Sequence, residues 1–151
     1  MSLIEEVELL RRIPLFAKIE PSKLKLLAFT SQRLTYKPGD VLFHQGDPGD
    51  AAFVIIGGEA DVVVNTPGGP LKVAHLRQND FVGEIAILCD VPRTATVTAT
   101  QETTVLRIEK DLFFRLIADF PQIAIEIMRV LAQRLDRTTA DLRELSAKLK
   151  T

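Results

Sequence analysis

The spacing of apolar residues changes twice along the chain and divides it into three parts. Residues 1–31 are predicted to form two amphipathic helices, because apolar side chains recur every three or four residues before Pro14 and again after Pro21. Ser2 and Glu5 have the spacing of a capping box at the start of the first helix. The apolar spacing becomes strand-like over residues 32–109 and returns to the helical period over residues 110–151.

The middle part consists of short β-rich runs separated by turns that contain glycine and proline. These runs are Val41–Phe43, Ala52–Ile56, Ala60–Val64, Leu71–Ala74, Thr94–Ala99 and Thr104–Ile108. Glycines in the turns supply corners with positive φ. Short strands at this spacing are typical of an antiparallel sandwich or barrel, so we expect a mainly β fold with flanking helices.

A heptad seam runs through the last part of the chain. After a short helix over residues 111–117, Pro121 opens a long helix in which Met128, Leu131, Leu135, Thr138, Leu142, Leu145 and Leu149 alternate steps of three and four. Such a seam has to be buried. A second copy of the helix is the simplest partner, which predicts a homodimer, and packing on the chain's own barrel is the alternative. Leucine at both heptad positions leaves the number of helices open.

Composition bounds the protein class. With 151 residues, of which 46% are hydrophobic and 26% charged, the sequence predicts a single soluble domain over residues 1–151. A net charge of -1 gives no global attraction to nucleic acid. The acidic N-terminus and the lack of a membrane-length apolar run predict a cytoplasmic protein without a membrane span. The single cysteine, Cys89, excludes an internal disulfide and is expected to be a small buried residue.

The segment from Asp80 to Thr96 contains the residues suited to bind a small anionic ligand. Gly83 lets the backbone approach a ligand, and the N–H groups of Glu84, Ile85 and Ala86 would open a helical turn whose positive end favours an anion. Pro92 closes the segment and is followed by Arg93, whose planar fork can take two phosphate oxygens. The alternative is a surface ion pair between Glu84 and Arg93 across a tight turn.

This segment resembles the phosphate-binding cassette of the cyclic nucleotide-binding domain family, which runs Phe-Gly-Glu, a small apolar helix, then Pro-Arg and small residues. Val82 stands where the family has the aromatic residue, with Phe81 one place earlier. The turns 38–40 and 45–47 and the run 53–59 are also similar to that family. The resemblance covers residues 15–145 and implies a double-stranded β-helix, or jelly roll, with its β-roll over residues 32–109 and its cassette over residues 81–96.

The resemblance also implies a binding role for each cassette residue. Arg93 would hold the cyclic phosphate of cyclic AMP, and Gly83, Glu84 and Ala95 would offer backbone N–H groups beside it. The Glu84 carboxylate would take the ribose 2′-hydroxyl, and the Thr94 hydroxyl would add a bond to the phosphate. Because a threonine directly after the cassette arginine also occurs in relatives that accept guanine, cyclic GMP is the alternative ligand.

The long helix is implied to complete the site. In the bacterial catabolite activator branch of the family, adjacent hydroxyl residues on this helix reach the adenine, one in its own subunit and one in the partner. Thr138 and Thr139 occupy a similar stretch here. The alternative is that both are polar register residues of a coiled coil. Closure of this helix over the cassette would be the output signal to a downstream protein that the sequence does not identify.

These residues predict a regulatory module rather than an enzyme. Unless the chain is a fragment, it ends too soon after the long helix to add a helix-turn-helix, so direct nucleic-acid binding is not expected. A cupin-like metalloenzyme would need several metal ligands, whereas His44 and His75 are the only histidines; no metal is therefore expected. Glu84 and Arg93 argue against a third reading, a degenerate docking domain that binds no nucleotide.

Overall fold

The structure, a computed structural model, describes residues 3–150, so the predicted capping residue Ser2 lies outside it. The helices are α1 (Leu3–Arg11), α2 (Pro21–Thr30), α3 (Glu84–Leu88), α4 (Lys110–Asp119) and α5 (Pro121–Lys150), with a 3₁₀ turn at Pro14–Phe16. The strands are β1 (Gln32–Tyr36), β2 (Val41–Phe43), β3 (Ala51–Gly57), β4 (Ala60–Thr66), β5 (Gly69–Leu76), β6 (Phe81–Val82), β7 (Thr96–Ala99) and β8 (Thr103–Glu109).

The strands form two four-stranded antiparallel sheets, which confirms the predicted mainly β jelly roll with flanking helices. Sheet A has the order β1-β8-β3-β6, and sheet B has the order β2-β7-β4-β5. Along the described residues, each connection except the β4–β5 hairpin passes from one sheet to the other. Consecutive strands therefore face each other across the roll, which brings β6 and the cassette beside β3.

Strand β3 is buried on both faces, which explains its nearly continuous apolar sequence. One set of alternate residues, Ala51, Phe53 and Ile55, packs between the two sheets. The other set, Ala52 and Val54, packs against the helices. Sheet A is therefore the middle layer of the molecule, between sheet B and the helical layer, and the cassette is attached to this middle layer.

Two strands were not predicted. Gln32, Arg33 and Thr35 of β1 are exposed, and the strand lies at the edge of sheet A. Strand β6 has two residues and pairs through Phe53 and Val54 of β3. Neither sequence has an apolar run long enough to predict a strand, and both strands are held by their partners in the sheet.

Helix α5 changes character along its length. Ile123 and Ile127 are buried against the helical layer, and Leu131 is half-buried. Four apolar residues at seven-residue intervals are exposed by 60% or more of their surface: Met128, Leu135, Leu142 and Leu149. The predicted seam is thus exposed at each of its residues except Leu131. Among the described residues, no helix combines the length and the apolarity needed to span a membrane.

Candidate functional site

The cassette begins where the backbone turns from β6 into α3. Gly83 caps α3 with a φ of 91°, a conformation that glycine adopts without steric cost. A Cβ atom at this position would lie 2.7 Å from Nη1 of Arg93 and 3.1 Å from the carbonyl oxygen of Ala51. Glycine is therefore required here both for the turn and for the close approach of the Arg93 guanidinium.

Glu84, the first residue of α3, is buried to 1% exposure. Its Oε1 accepts a hydrogen bond of 3.2 Å from Nη1 of Arg134, which reaches the cassette from α5. Arg134 also donates from Nη2 to the carbonyl oxygen of Phe81 at 2.9 Å and lies over the ring of Phe81. Burial raises the pKa of Glu84, and a hydrogen bond from its own backbone, followed by the charges of Arg134 and Arg93, offsets part of that effect. The carboxylate thus depends on a cation supplied by a distant helix.

Arg93 is also buried, at 3% exposure. Its guanidinium donates from Nη1 to the carbonyl oxygen of Gly83 at 2.9 Å and from Nη2 to that of Ala51 at 2.6 Å. The guanidinium carbon lies 4.2 Å from the ring centre of Phe43, and Asp50 Oδ1 is 3.5 Å from Nη2. Burial lowers the pKa of Arg93, but an arginine stays charged at neutral pH.

Two buried polar atoms of the cassette have no hydrogen-bond partner among the described residues: Oε2 of Glu84 and Nε of Arg93. Buried polar atoms are rarely left unpaired in native proteins. Here both belong to the pair of residues that the sequence assigns to ligand binding. The interpretation of Glu84 and Arg93 as a surface ion pair is wrong, because both are buried and each has other partners.

The backbone holds Arg93 in place through the turn after β2. The N–H of Arg93 donates to the carbonyl oxygen of Asp47, and its own carbonyl oxygen accepts from the N–H of Gly46, both at 2.8 Å. Gly49 packs so tightly behind α3 that an added Cβ would lie 2.3 Å from Cβ of Ala86. The turn over residues 45–47, which resembles the family, thus holds the backbone of Arg93, and Gly49 packs against α3.

The other predicted site residues differ in their surroundings. Ala86 and Ala95 are buried, whereas Ile85 and Thr94 are exposed. Thr138 and Thr139 are exposed on α5, one turn beyond Arg134, and the Thr138 hydroxyl donates to the carbonyl oxygen of Arg134 at 2.9 Å. Among the described residues, no hydrogen bond joins either threonine to the cassette.

The prediction that Cys89 is buried is wrong. The residue is exposed at the end of α3. Helix α3 is little more than one turn long, and its inward face is taken by Glu84, Ala86 and Ile87. The outward face, which includes Leu88 and Cys89, is left at the surface.

Sequence reasoning gave no role to three residues that contact the cassette side chains: Arg134, Phe43 and Asp50. The only available signal was indirect, since a buried glutamate needs a cation. Helix α5 offers several arginines, and which of them faces the cassette is decided by the packing of α5. Among residues 3–149, no group of three or more His, Cys, Asp or Glu side chains could hold a metal ion.

A family model described as the cyclic nucleotide-binding domain matches residues 33–120, which is more than half of the chain. This chain belongs to the cyclic nucleotide-binding domain family. It is 32% identical over 139 residues to the CRP-like cAMP-activated global transcriptional regulator of Mycobacterium tuberculosis, covering 91% of this chain and 62% of that protein. It is 32% identical over 114 residues to a cAMP-dependent protein kinase regulatory subunit of Aspergillus niger, covering 76% and 27%.

Solved structures of the family share the fold. The Thermus thermophilus catabolite activator protein superposes with a TM-score of 0.77 at 29% identity, over 88% of this chain and 63% of that one. This chain spans less than two thirds of each of these three relatives. What it shares with them is the regulatory cyclic nucleotide-binding domain.

We predict that Gly83→Ala destabilises the protein more than Gly39→Ala. Both glycines have a φ near 90°, but a Cβ at Gly39 meets nothing within 4 Å, whereas at Gly83 it meets Arg93 and Ala51. Backbone strain of about 1–3 kcal/mol applies to both variants, and overpacking adds roughly 1–3 kcal/mol at Gly83. Urea unfolding measures the free energy of unfolding of both variants. An equal loss of stability in the two variants would contradict the close approach of Arg93 to Gly83.

We predict that Arg134→Met lowers the free energy of unfolding by about 1–3 kcal/mol at neutral pH, because it leaves the buried Glu84 carboxylate without its cation. The pKa of Glu84 is already raised in the folded state and should rise further in the variant. The folded state then holds the Glu84 proton more tightly than the unfolded chain does. The destabilisation should therefore shrink as pH falls through the folded-state pKa of Glu84.

Arg137→Met is the matched control, since Arg137 is exposed on the same helix. Urea unfolding at several pH values compares the two variants. An Arg134 variant with the stability and pH dependence of the control would show that Arg134 does not compensate Glu84.

Proposed function

We propose that this protein is a cyclic AMP-binding regulatory module whose output is a movement of helix α5. The observation that carries the proposal is the pair of buried, unpartnered atoms in the cassette, Oε2 of Glu84 and Nε of Arg93. One is an acceptor suited to a hydroxyl and the other a donor suited to an anion. A cyclic nucleotide offers both groups close together. The relatives' names, which refer to cAMP, support this ligand.

The proposed phosphate contacts fit the donors that Arg93 has left. A guanidinium has about five N–H donors, and two of them go to the carbonyl oxygens of Gly83 and Ala51. The rest are available for a cyclic phosphate, which would compete with Asp50 for the same group. The site is proposed to be completed by the Thr94 hydroxyl and by the backbone N–H groups of Gly83, Glu84, Ile85, Ala86 and Ala95.

The proposed ribose contact links the ligand to α5. Glu84 would accept the 2′-hydroxyl at Oε2 while Oε1 remains bonded to Arg134. Thr138 and Thr139 are proposed to reach the base when α5 closes over the cassette, one in its own subunit and one in the partner. A ligand that binds better when α5 is closed shifts the population of α5 positions by its difference in affinity for the two states. Which downstream protein responds to that movement is not specified by these residues.

The exposed stripe on α5 supports a parallel homodimer. Met128, Leu135, Leu142 and Leu149 recur every seven residues and are exposed by 60%, 67%, 60% and 80%. A second copy of the helix offers the same spacing, which a coiled-coil interface requires. No catalytic activity is proposed.

We predict that Arg93→Leu lowers the affinity for cyclic AMP by at least roughly ten- to a hundredfold, because loss of a buried charged partner typically costs about 2–5 kcal/mol. Glu84→Gln should lose less, since the amide keeps one acceptor oxygen. Calorimetric titration measures both variants. Cyclic GMP is titrated in parallel. If cyclic GMP binds more tightly than cyclic AMP, cyclic GMP is the ligand.

Arg93 also donates hydrogen bonds to two carbonyl groups, so its loss affects stability. Urea unfolding therefore first establishes that the Arg93→Leu variant is folded. Arg93→Lys keeps the charge without the planar fork and should fall between the wild type and the leucine variant. Arg115→Leu removes an exposed arginine of α4 and should bind like the wild type. If a folded Arg93→Leu protein binds cyclic AMP with wild-type affinity, Arg93 does not take part in binding. A wild type that binds neither nucleotide would favour the docking domain.

We predict that replacing Leu135 and Leu142 with Glu converts a dimer into a monomer. Each substitution removes apolar burial worth about 1.5–3 kcal/mol and places like charges across the two-fold axis. Gln133→Glu with Ala140→Glu adds the same charge on the opposite face of α5 and should remain dimeric. Sedimentation measures all three proteins. A wild type that sediments as a monomer, with and without nucleotide, would contradict the homodimer.

A further inference from the structure

His75 lies between two carboxylates on the outer surface of sheet B. It stands on the edge strand β5 directly opposite Asp61 of β4. Its Nδ1 is 2.6 Å from Oδ1 of Asp61, and its Nε2 is 2.6 Å from Oε1 of Glu59. All three side chains are partly exposed, at 29%, 26% and 37%. Both ring nitrogens are therefore within hydrogen-bond distance of an acceptor.

This geometry requires a protonated ring. A neutral imidazole has one N–H donor and one acceptor nitrogen, and an ionised carboxylate can only accept. If His75 were neutral, one of the two contacts would set a lone pair against a carboxylate oxygen. An imidazolium donates to both carboxylates at once, and charge-assisted bonds of this kind are short.

The charges around the ring favour the same state. Hydrogen bonds to Asp61 and then to Glu59 raise the pKa of His75, and the contact with His75 lowers the pKa of each carboxyl group. Lys72 of β5 lies 3.2 Å from Asp61, and Arg77 acts on Glu59 from beyond β5. These two cations oppose the protonation of His75 but are not bonded to it.

Glu59 anchors the cluster to the rest of the fold. Its backbone N–H donates to the hydroxyl of Thr103, and its carbonyl oxygen accepts from that hydroxyl at 2.9 Å and from the N–H of Thr100. Thr103 is fully buried. Its neighbours 100–102 connect β7 of sheet B to β8 of sheet A. The imidazolium thus ties the edge strand β5 to the junction between the two sheets.

We propose that His75 is a proton-operated clamp that fixes the end of β5 against β4 and the β7–β8 connection when protonated and releases it when neutral. Strand β5 is free on its other edge, since its partner among the described strands is β4. Loss of the imidazolium therefore removes one of the two side-chain ties of His75, because a neutral ring can donate to only one carboxylate, and the β4–β5 ladder carries more of the hold on this end of the strand.

The direction of the pH effect follows from linkage. A histidine has an ordinary pKa of about 6.5, and the clamp raises that of His75. The clamp should contribute its full stability below the ordinary value and lose it as pH rises through the raised value. The proton should therefore be released at a higher pH than from an ordinary histidine, and the carboxylates stay ionised there.

The test follows His75 in the full-length chain carrying His44→Gln. His44 is exposed and is the other histidine, so the variant leaves one imidazole to observe. Nitrogen-15 NMR gives the His75 titration midpoint in the folded protein and in concentrated urea. Amide hydrogen exchange over residues 60–62 and 74–76, corrected for the intrinsic pH dependence, gives the protection of the paired strands.

The folded midpoint should exceed the urea midpoint, and Glu59→Gln or Asp61→Asn should each lower it. Protection should fall as pH rises through the folded midpoint, by about tenfold for each pH unit between the two midpoints. Adding His75→Gln should abolish that pH dependence. A folded midpoint at or below the urea value, or protection that does not follow the charge of His75, would overturn the clamp. None of these readouts uses a nucleotide, so the result is independent of the proposed function.

Discussion

A carboxylate buried in the first turn of α3 organises the arrangement around the cassette. Removing Glu84 from water disfavours its charged form, and a backbone hydrogen bond together with a nearby cation offsets part of that loss. Arg134 supplies the cation from α5, fifty residues further along the chain. Because Arg134 also binds the carbonyl oxygen of Phe81, the requirement of one buried charge fixes where a long helix crosses the cassette.

The second buried charge has a different solution. Arg93 is stabilised both by dipoles, since its firm hydrogen bonds go to the backbone carbonyl oxygens of Gly83 and Ala51, and by the charge of Asp50. The Asp50 side chain is 69% exposed and lies 3.5 Å away. A buried guanidinium whose carboxylate partner is this exposed still has electrostatic capacity for an anion. The same residue therefore holds the turn at Gly83 and remains suited to bind a phosphate.

The two halves of α5 are suited to different tasks. Ile123 and Ile127 anchor its first turns in the helical core, whereas the residues from Leu135 to Leu149 are exposed. Arg134 lies at the transition, next to Leu135 of the exposed stripe. A residue bonded to the cassette and a residue proposed for the subunit interface are thus neighbours on one rigid helix, which gives a short physical route between ligand and assembly.

The sequence alone determined the mainly β fold, because its strands are short, apolar and separated by turn residues, and it determined the cassette, because Gly83, Glu84 and Arg93 are local to one segment. It also determined the apolar stripe, since a heptad pattern is a property of one helix. Tertiary structure decided the rest. Strands β1 and β6 exist through pairing, Cys89 is exposed because α3 has one inward face, and Arg134 reaches Glu84 because of the angle at which α5 packs. Each of these depends on contacts between residues far apart in the chain, and local spacing carries no record of such contacts.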